Sequence, residues 1–279
     1  MSSQILKLGT FAIPKIGVDK LMGYNPYFYA NNFLRDANIT DPTQMEAISY
    51  LVKELVDNNL IGKFNVIYPM VGGDATKHSY NLIDTGLYRL TFNGGWTHSA
   101  NGALPNGTNA WANTGFIPTN VSGTDNAHIS YYSRTNNQNA DEYPMGCSSF
   151  GANPVVYLRI RDSGNLAEAG FGTYRVNQPI TASGGSTDGR GLFMGNFQSA
   201  TLRQLLRNKT VLNANTVSQA MGKATAPVFL GGYNNNNVAI GLSSKQCAFA
   251  SIGNGMSNIE QGLFYDIVQE YQTILGRNV

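Results

Sequence analysis

Apolar and polar positions change period twice along this chain. Between Phe64 and Ile252 the apolar residues come in short runs: "FNVIYP", "YRLTFN", "AHISYYS", "PVVYLRIR", "GFGTYRV", "GLFMGNF", "TLRQLLR", "PVFLGGY" and "QCAFASIG". Turn signals separate them at Asn93-Gly94-Gly95, Pro105-Asn106-Gly107, Asp162-Ser163-Gly164, Ser183-Gly184-Gly185, Asp188-Gly189 and the Asn234–Asn237 run, which reads as a hairpin loop. Short strands with turns at roughly ten-residue spacing predict a mainly β fold, a sandwich or a barrel. In "VVYLRIR" the alternation is explicit: Val156, Leu158 and Ile160 face one way, Tyr157, Arg159 and Arg161 the other.

On both sides of this region the period becomes helical. Asp41 is a cap, Pro42 suits the first helical position, and Gln44 offers a weak capping box; Met45, Ile48, Leu51, Val52 and Leu55 form the stripe. At the other end Ser257 and Glu260 have capping-box spacing. Behind them Ile259, Leu263, Phe264, Ile267, Val268, Tyr271 and Leu275 predict the buried face, and Gln261, Asp266, Gln269, Glu270 and Gln272 the exposed one. Gly276 supplies the stop and Arg277 a cation at the negative end of the helix. Before the first helix, apolar residues are broken by Gly9, Pro14, Gly17, Gly23 and Pro26. Residues 1–39 therefore read as an arm that docks on its own domain or on a neighbour, with Phe11, Ile13, Tyr27 and Phe28 as docking residues. Residues 40–63 read as the helix and 64–279 as the β domain with its closing helix.

Composition narrows the function classes. Only 13% of the 279 residues are charged, about half the usual share, and glycine is abundant. The net charge is +2 without a basic run, which argues against nucleic acid. No apolar run of about 18 residues predicts a membrane span. Cys147 and Cys247 stand in apolar settings and read as buried free thiols. His78, His98 and His128 show no metal-site spacing and read as satisfied polar groups. "GCSSFG" is not a nucleophile elbow, and "YPMVGGDATKH" lacks phosphate-loop spacing and reads as a structural turn. Asp141 and Glu142 are strand neighbours pointing to opposite faces, so no acid–nucleophile pair emerges. A catalytic role is the weakest reading, and no motif calls for a cofactor. Trp96 and Trp111, among Asn, Thr and Ser, are candidates for stacking on sugar rings, with the Tyr131-Tyr132 pair beside them; the alternative for the tryptophans is the core.

Together, "LVKELVDNNLIGKFNVIYPMVGGDATKHSYNLID", "LTFNGGWTHSANGALPNGTNAWANTGF", "HISYYSRTN" and "FASIGNGMSNIEQGLFYDIVQEYQTILGR" resemble tailed-bacteriophage virion proteins with a concanavalin A-like, laminin-G-like jelly roll. The resemblance runs roughly from Met45 to Arg277. It implies a two-sheet antiparallel jelly-roll sandwich on a virion: a non-enzymatic fibre or decoration protein made in the host cytoplasm and anchored by its N-terminal region. It implies other virion proteins as partners and a homo-oligomer, with a trimer among the options. The alternative it carries is a carbohydrate-binding, host-recognising module, and the least favoured is a glycan hydrolase, because the acidic ExDxxE strand of the glucanases is missing. A laminin-G-type calcium site would draw on loop carboxylates such as Asp125, Asp162 and Asp188, which nothing in the sequence joins into one site.

Overall fold

A computed structural model describes residues 27–121, 126–149, 154–172, 180–182, 185–218 and 222–279. Phe11, Ile13 and Asp125 lie outside them. The architecture is a two-sheet antiparallel jelly-roll sandwich with a third, helical layer on one sheet. The first sheet runs Thr210–Asn215, Leu202–Arg207, Gly191–Ser199, Ala127–Ser133, Cys247–Gly253, Gly102–Pro105 and Trp96–Ser99, with Phe64–Tyr68 also paired to Cys247–Gly253. The second runs Ile180–Ala182, Leu166–Gly172, Val155–Asp162, Met145–Ser148, Phe229–Leu230, Trp111–Asn113 and Thr91–Asn93. The hairpin Tyr233–Asn235/Val238–Ile240 joins the second sheet at Met145–Ser148. Its turn residues, Asn236 and Asn237, both have positive φ, at 54° and 64°, the requirement of a two-residue turn that follows strand twist.

Two cores follow from the pleat. Val66, Ile129, Tyr131, Val156, Leu158, Ile160, Phe193 and Ile252 fill the space between the sheets. The opposite face of the first sheet, with Ile67, Tyr132, Leu192, Met194, Leu206 and Phe249, is buried against helices α1 (Phe28–Asp36), α2 (Pro42–Asp57) and α4 (Asn258–Ile274); α3 is a single turn, Ala75–His78, after the first strand. The centre of the first sheet is thus dry on both sides: Ala127–Ser133 and Cys247–Gly253 are buried at every residue, while the edge strand Thr210–Asn215 meets solvent. Each apolar side chain sealed there contributes about 1.5–3 kcal/mol.

The helix ends form largely as their residues dictate. Asp41 accepts from the Gln44 N–H at 2.9 Å, but Gln44 does not close a box; its Oε1 accepts from the Gly72 N–H at 2.7 Å and ties α2 to the following loop. Ser257 and Glu260 make the full reciprocal box, and Glu260 also pairs with Lys63 at 2.9 Å.

Two expectations are corrected. First, residues 28–36 are a helix, not part of an arm: Ala30 and Phe33 give it a buried face on its own domain, together with Ala37 and Ile39. Second, the buried face of α4 is rotated. Phe264, Ile267, Val268 and Tyr271 are buried as expected, but Ile259 is 77% exposed, Leu263 is exposed and Leu275 is half-buried, whereas Gln261 and Gln272 are buried. The two glutamines reach polar partners under the helix: Gln261 donates to Gln204 Oε1 at 2.7 Å and Gln272 to the Ala248 carbonyl at 3.2 Å. Arg277 follows the end of this helix as read, and its side chain is sealed inside the fold. It donates to the carbonyls of Pro69, Met70 and Ala248 at 2.7–2.8 Å, stapling the C-terminal turn to the loop after the first strand.

Candidate binding face

The helices lie on the first sheet; on the second, the central strands Met145–Ser148, Val155–Asp162 and Leu166–Gly172 are buried at most positions, and exposure begins at Asp141, Tyr143 and the 233–240 hairpin. The floor of the second sheet's outer face is set by alternation. Val156, Leu158 and Ile160 enter the core, so Tyr157 and Arg159 point outward. Flanking strands present Gly146 and Gly170 beside Tyr157, and a Cβ on either would collide with that ring. Glycine weakens a strand interior; here it makes room for the ring to lie across the sheet.

Two tyrosines from distant segments cover Tyr157. Tyr143 lies 5.4 Å from it, edge-on, and Tyr233, carried by the 233–240 hairpin, 6.1 Å; Tyr143 and Tyr233 stand 5.0 Å apart. Both covering residues are half-buried while Tyr157 is buried, so the cluster is a supported aromatic plate whose two upper rings, inclined 42° to each other, are partly in contact with solvent. The hairpin adds exposed Val238 and Ile240. Further along the same face Trp111 stacks on Phe229 at 4.3 Å, with planes 24° apart, and Gly232, next to Tyr233, packs against Trp111. Trp111 must face outward, because its neighbour Ala112 is in the inter-sheet core.

A charged group borders the plate. The Arg159 guanidinium lies 4.9 Å from the centre of the Tyr143 ring and pairs with Asp162, with Asp141 at 2.9 Å and with Glu168 at 3.4 Å. Burial opposes its charge, but Tyr143, Asp162 and Glu168 outweigh that and raise its pKa. Thr181 donates to Glu168 at 3.0 Å. The Asp141 side chain is 86% exposed, whereas the next side chain, Glu142, is only 7% exposed, so these neighbours do point to opposite sides. The arrangement offers apolar ring faces flanked by carboxylate and hydroxyl oxygens, a surface for a flat ligand that carries hydroxyls.

The tryptophans and tyrosines singled out from the sequence divide. Trp111 belongs to this face. Trp96, half-buried, does not: its indole N–H donates to the carbonyls of Asn93 and Trp111 at 3.1 and 3.3 Å, and its ring packs on Phe92 and His98. Tyr131 and Tyr132 have no exposed surface. They are consecutive on a strand covered on both faces, so one enters each core, and neither is available to a surface ligand. Tyr27 and Phe28 are exposed, at 44% and 57%. The expected loop carboxylates are engaged by arginines: Asp162 by Arg159, and Asp188 by Arg190 and Arg207 at 2.9 and 3.2 Å. Among the described residues no three His, Cys, Asp or Glu side chains converge as metal ligands. No helix among them is long and apolar enough to cross a membrane. Cys147 and Cys247 are buried free thiols, and burial pushes the Cys247 pKa up to about 12.

The histidines hold what spacing did not reveal. His78 and His98 meet Nδ1 to Nδ1 at 2.9 Å, and His78 Nε2 accepts from the Gly73 N–H. That contact makes His78 Nδ1 the donor to a neutral His98. Burial, together with the neighbouring His98 ring and the Arg277 charge, drives the His78 pKa down to about 3. His128 is sealed under α4, bonded to the Asn254 carbonyl at 2.6 Å and to Ser251 Oγ at 3.0 Å, and burial lowers its pKa to about 4.

No family model matches the chain, and no curated protein matches it. Solved structures do. Domain 4 of AbnA, a GH43 extracellular arabinanase from Geobacillus stearothermophilus in complex with arabinotriose, is 12% identical over 73% of this chain and 98% of its own, with a TM-score of 0.48. The NanB sialidase from Streptococcus pneumoniae is 15% identical over 57% of this chain, TM-score 0.45, and the match takes in only 26% of the sialidase. The CBM40 of the Ruminococcus gnavus IT-sialidase, bound to α2,3-sialyllactose, is 12% identical over 62% of this chain and 92% of its own, TM-score 0.40.

Proposed function

We propose that this chain is a non-catalytic carbohydrate-binding module that takes a glycan on the outer face of the second sheet. The observation that carries the reading is the plate formed by Tyr143 and Tyr233 over buried Tyr157. A sugar ring stacks its C–H face on such a plate, and the oxygens of Asp141, Glu168 and Thr181 accept from its hydroxyls. Trp111 extends the strip toward a second sugar. The full chain on a glycan array should bind a restricted set of oligosaccharides. Tyr143→Ala and Tyr233→Ala should each weaken that binding at least about tenfold, the scale of one lost stacking contact. Wild-type protein that binds nothing on a broad array, or variants that bind as tightly as wild type, would sink the reading.

A second reading concerns placement. The sequence resemblance supports a virion setting, and one structural observation supports attachment through the N-terminal side: Tyr27 and Phe28, where the described chain begins, expose apolar rings beside a helix that is otherwise well seated. In this reading that side docks on other virion proteins or on further copies of the chain, and the glycan face is displayed toward a host surface. Phe28→Ser in the full chain should leave melting unchanged and reduce incorporation into particles. Normal incorporation would count against it.

A further inference from the structure

Lys245 has no exposed surface. It lies two residues before the strand Cys247–Gly253, and its side chain crosses the end of the sandwich to the loop that leaves the strand Ala127–Ser133. There Nζ donates to the side-chain oxygen of Asn137 at 2.5 Å and to that residue's carbonyl at 3.1 Å, and it faces Glu142 Oε2 at 3.3 Å. The other carboxylate oxygen, Glu142 Oε1, accepts from the Ser244 N–H at 3.0 Å, Ser244 Oγ at 2.6 Å and Asn139 Nδ2 at 2.8 Å. Ser244 Oγ in turn accepts from Asn137 Nδ2. The Asn137 amide is therefore held at both ends: its oxygen by a buried amine, its nitrogen by a hydroxyl, and one buried carboxyl group contacts both.

A buried ion pair alone would be a poor use of this position, because desolvating two charges offsets most of their attraction. We infer that Lys245 Nζ attacks Cγ of Asn137 and closes an intramolecular isopeptide bond, with Glu142 moving the protons and ammonia leaving. The distance is suitable. With a C=O bond of about 1.2 Å, Nζ is within about 3.7 Å of Cγ, close to the separation from which oriented groups react. The electronics are suitable too. Burial lowers the Lys245 pKa, which Glu142 only partly offsets, the direction that favours the neutral amine needed for attack.

The step balances without an outside reagent. Lys245 first passes a proton to Glu142 Oε2, leaving an amine and a carboxylic acid, the form an apolar surrounding favours. The Nζ lone pair forms the N–C bond as the carbonyl pair moves onto Oδ1. The carboxylic acid turns about its Cγ–Cδ bond so that its proton faces Ser244 and returns that proton through Ser244 Oγ to Nδ2, and the carboxylate oxygen now beside Nζ takes a second proton from it. The Oδ1 pair folds back, the Cγ–Nδ2 bond breaks, and ammonia departs; nothing is oxidised or reduced. The new bond ties together positions 108 residues apart. It also fixes the loop that runs into Asp141 and Tyr143 at the edge of the aromatic plate.

Intact mass of the purified, denatured full chain tests this directly. The expected mass is one ammonia below the sequence mass, and a tryptic digest yields a branched peptide joining Asn137 to Lys245, uncleaved after Lys245. Glu142→Gln, if its circular dichroism shows it folded, should keep the full mass; a folded Glu142→Gln that still cross-links would remove Glu142 from the mechanism. If that variant does not fold, the wild-type branched peptide decides alone. Wild-type protein at full sequence mass and cleaved after Lys245 would overturn the inference. So would an ammonia loss that maps to the Asn137 peptide without Lys245.

Discussion

The two outer faces of the sandwich are built from the same alternation and treated in opposite ways. The first sheet turns Tyr132, Leu192, Met194 and Phe249 outward and then seals them under α2 and α4. The second turns Tyr157 outward and covers it only with Tyr143 and Tyr233, themselves partly in contact with solvent. The first face shows what an aromatic-rich surface does when stability governs it: it acquires a lid of helices. The second keeps its aromatics in contact with water and borders them with an ion-paired arginine. That partly exposed aromatic group is the surface the proposed glycan would take.

Substitutions on the two faces should separate stability from binding. The largest effect belongs to the sealed side. Phe264, fully buried, lies 5.1 Å from Phe64 and 6.0 Å from Phe249. Phe264→Ala should lower stability by about 3–5 kcal/mol through the cavity it leaves, read as a large drop in the denaturation midpoint. Acid should reach the same layer next. The His128 pKa of about 4 and the His78 pKa of about 3 lie below the unfolded value of about 6.5. The unfolded chain therefore binds more protons, and stability present above about pH 6.5 declines as pH falls toward 4 and then 3. For His128 the full loss is about 3 kcal/mol, and a folded His128→Asn should flatten the fall in melting temperature over that range. A parallel fall in both proteins would count against His128 as the source.

On the open face the effects on stability should be smaller. Gly170→Ala forces a methyl group into the Tyr157 ring and should cost about 1–3 kcal/mol by overpacking. It should also disturb glycan binding, because the plate rests on that ring. The smallest effect returns to α4: Ile259→Ser, on the solvent side of the helix that carries Phe264, should change stability by no more than about 0.5 kcal/mol. A destabilisation as large as that of Phe264→Ala would mean that a neighbouring copy covers this side.

What the sequence disclosed follows the same division. Alternation was readable over Val156–Ile160, where Tyr157 and Arg159 point outward as read; it breaks at Arg161, whose φ of 47° and a register shift put Asp162 beside Arg159 instead. Where both faces are dry, as in Ala127–Ser133, polar His128, Ser130 and Ser133 are buried alongside the apolar residues, so the pattern gave no sign of two covered faces, and Tyr131 and Tyr132 passed for surface residues. The last helix showed its cap through Ser257 and Glu260, because a cap is local chemistry. Its rotation was hidden, because Gln261 and Gln272 are buried through partners on remote strands that an apolar count does not register. The binding face was hidden for the same reason. Tyr143, Tyr157 and Tyr233 come from three separate segments and meet only through sheet pairing and a hairpin. The one local signal was the glycines at 146 and 170, placed inside otherwise strand-like sequence.

The most direct test of the account is a hydrogen-exchange footprint of the full chain with and without the tightest-binding oligosaccharide from the array. The account predicts slowed exchange confined to residues 143–148, 157–159 and 233–240, with the helical layer and Trp96–Ser99 unchanged. Protection centred on the helices or around Trp96, with the second sheet's outer face unaffected, would contradict it.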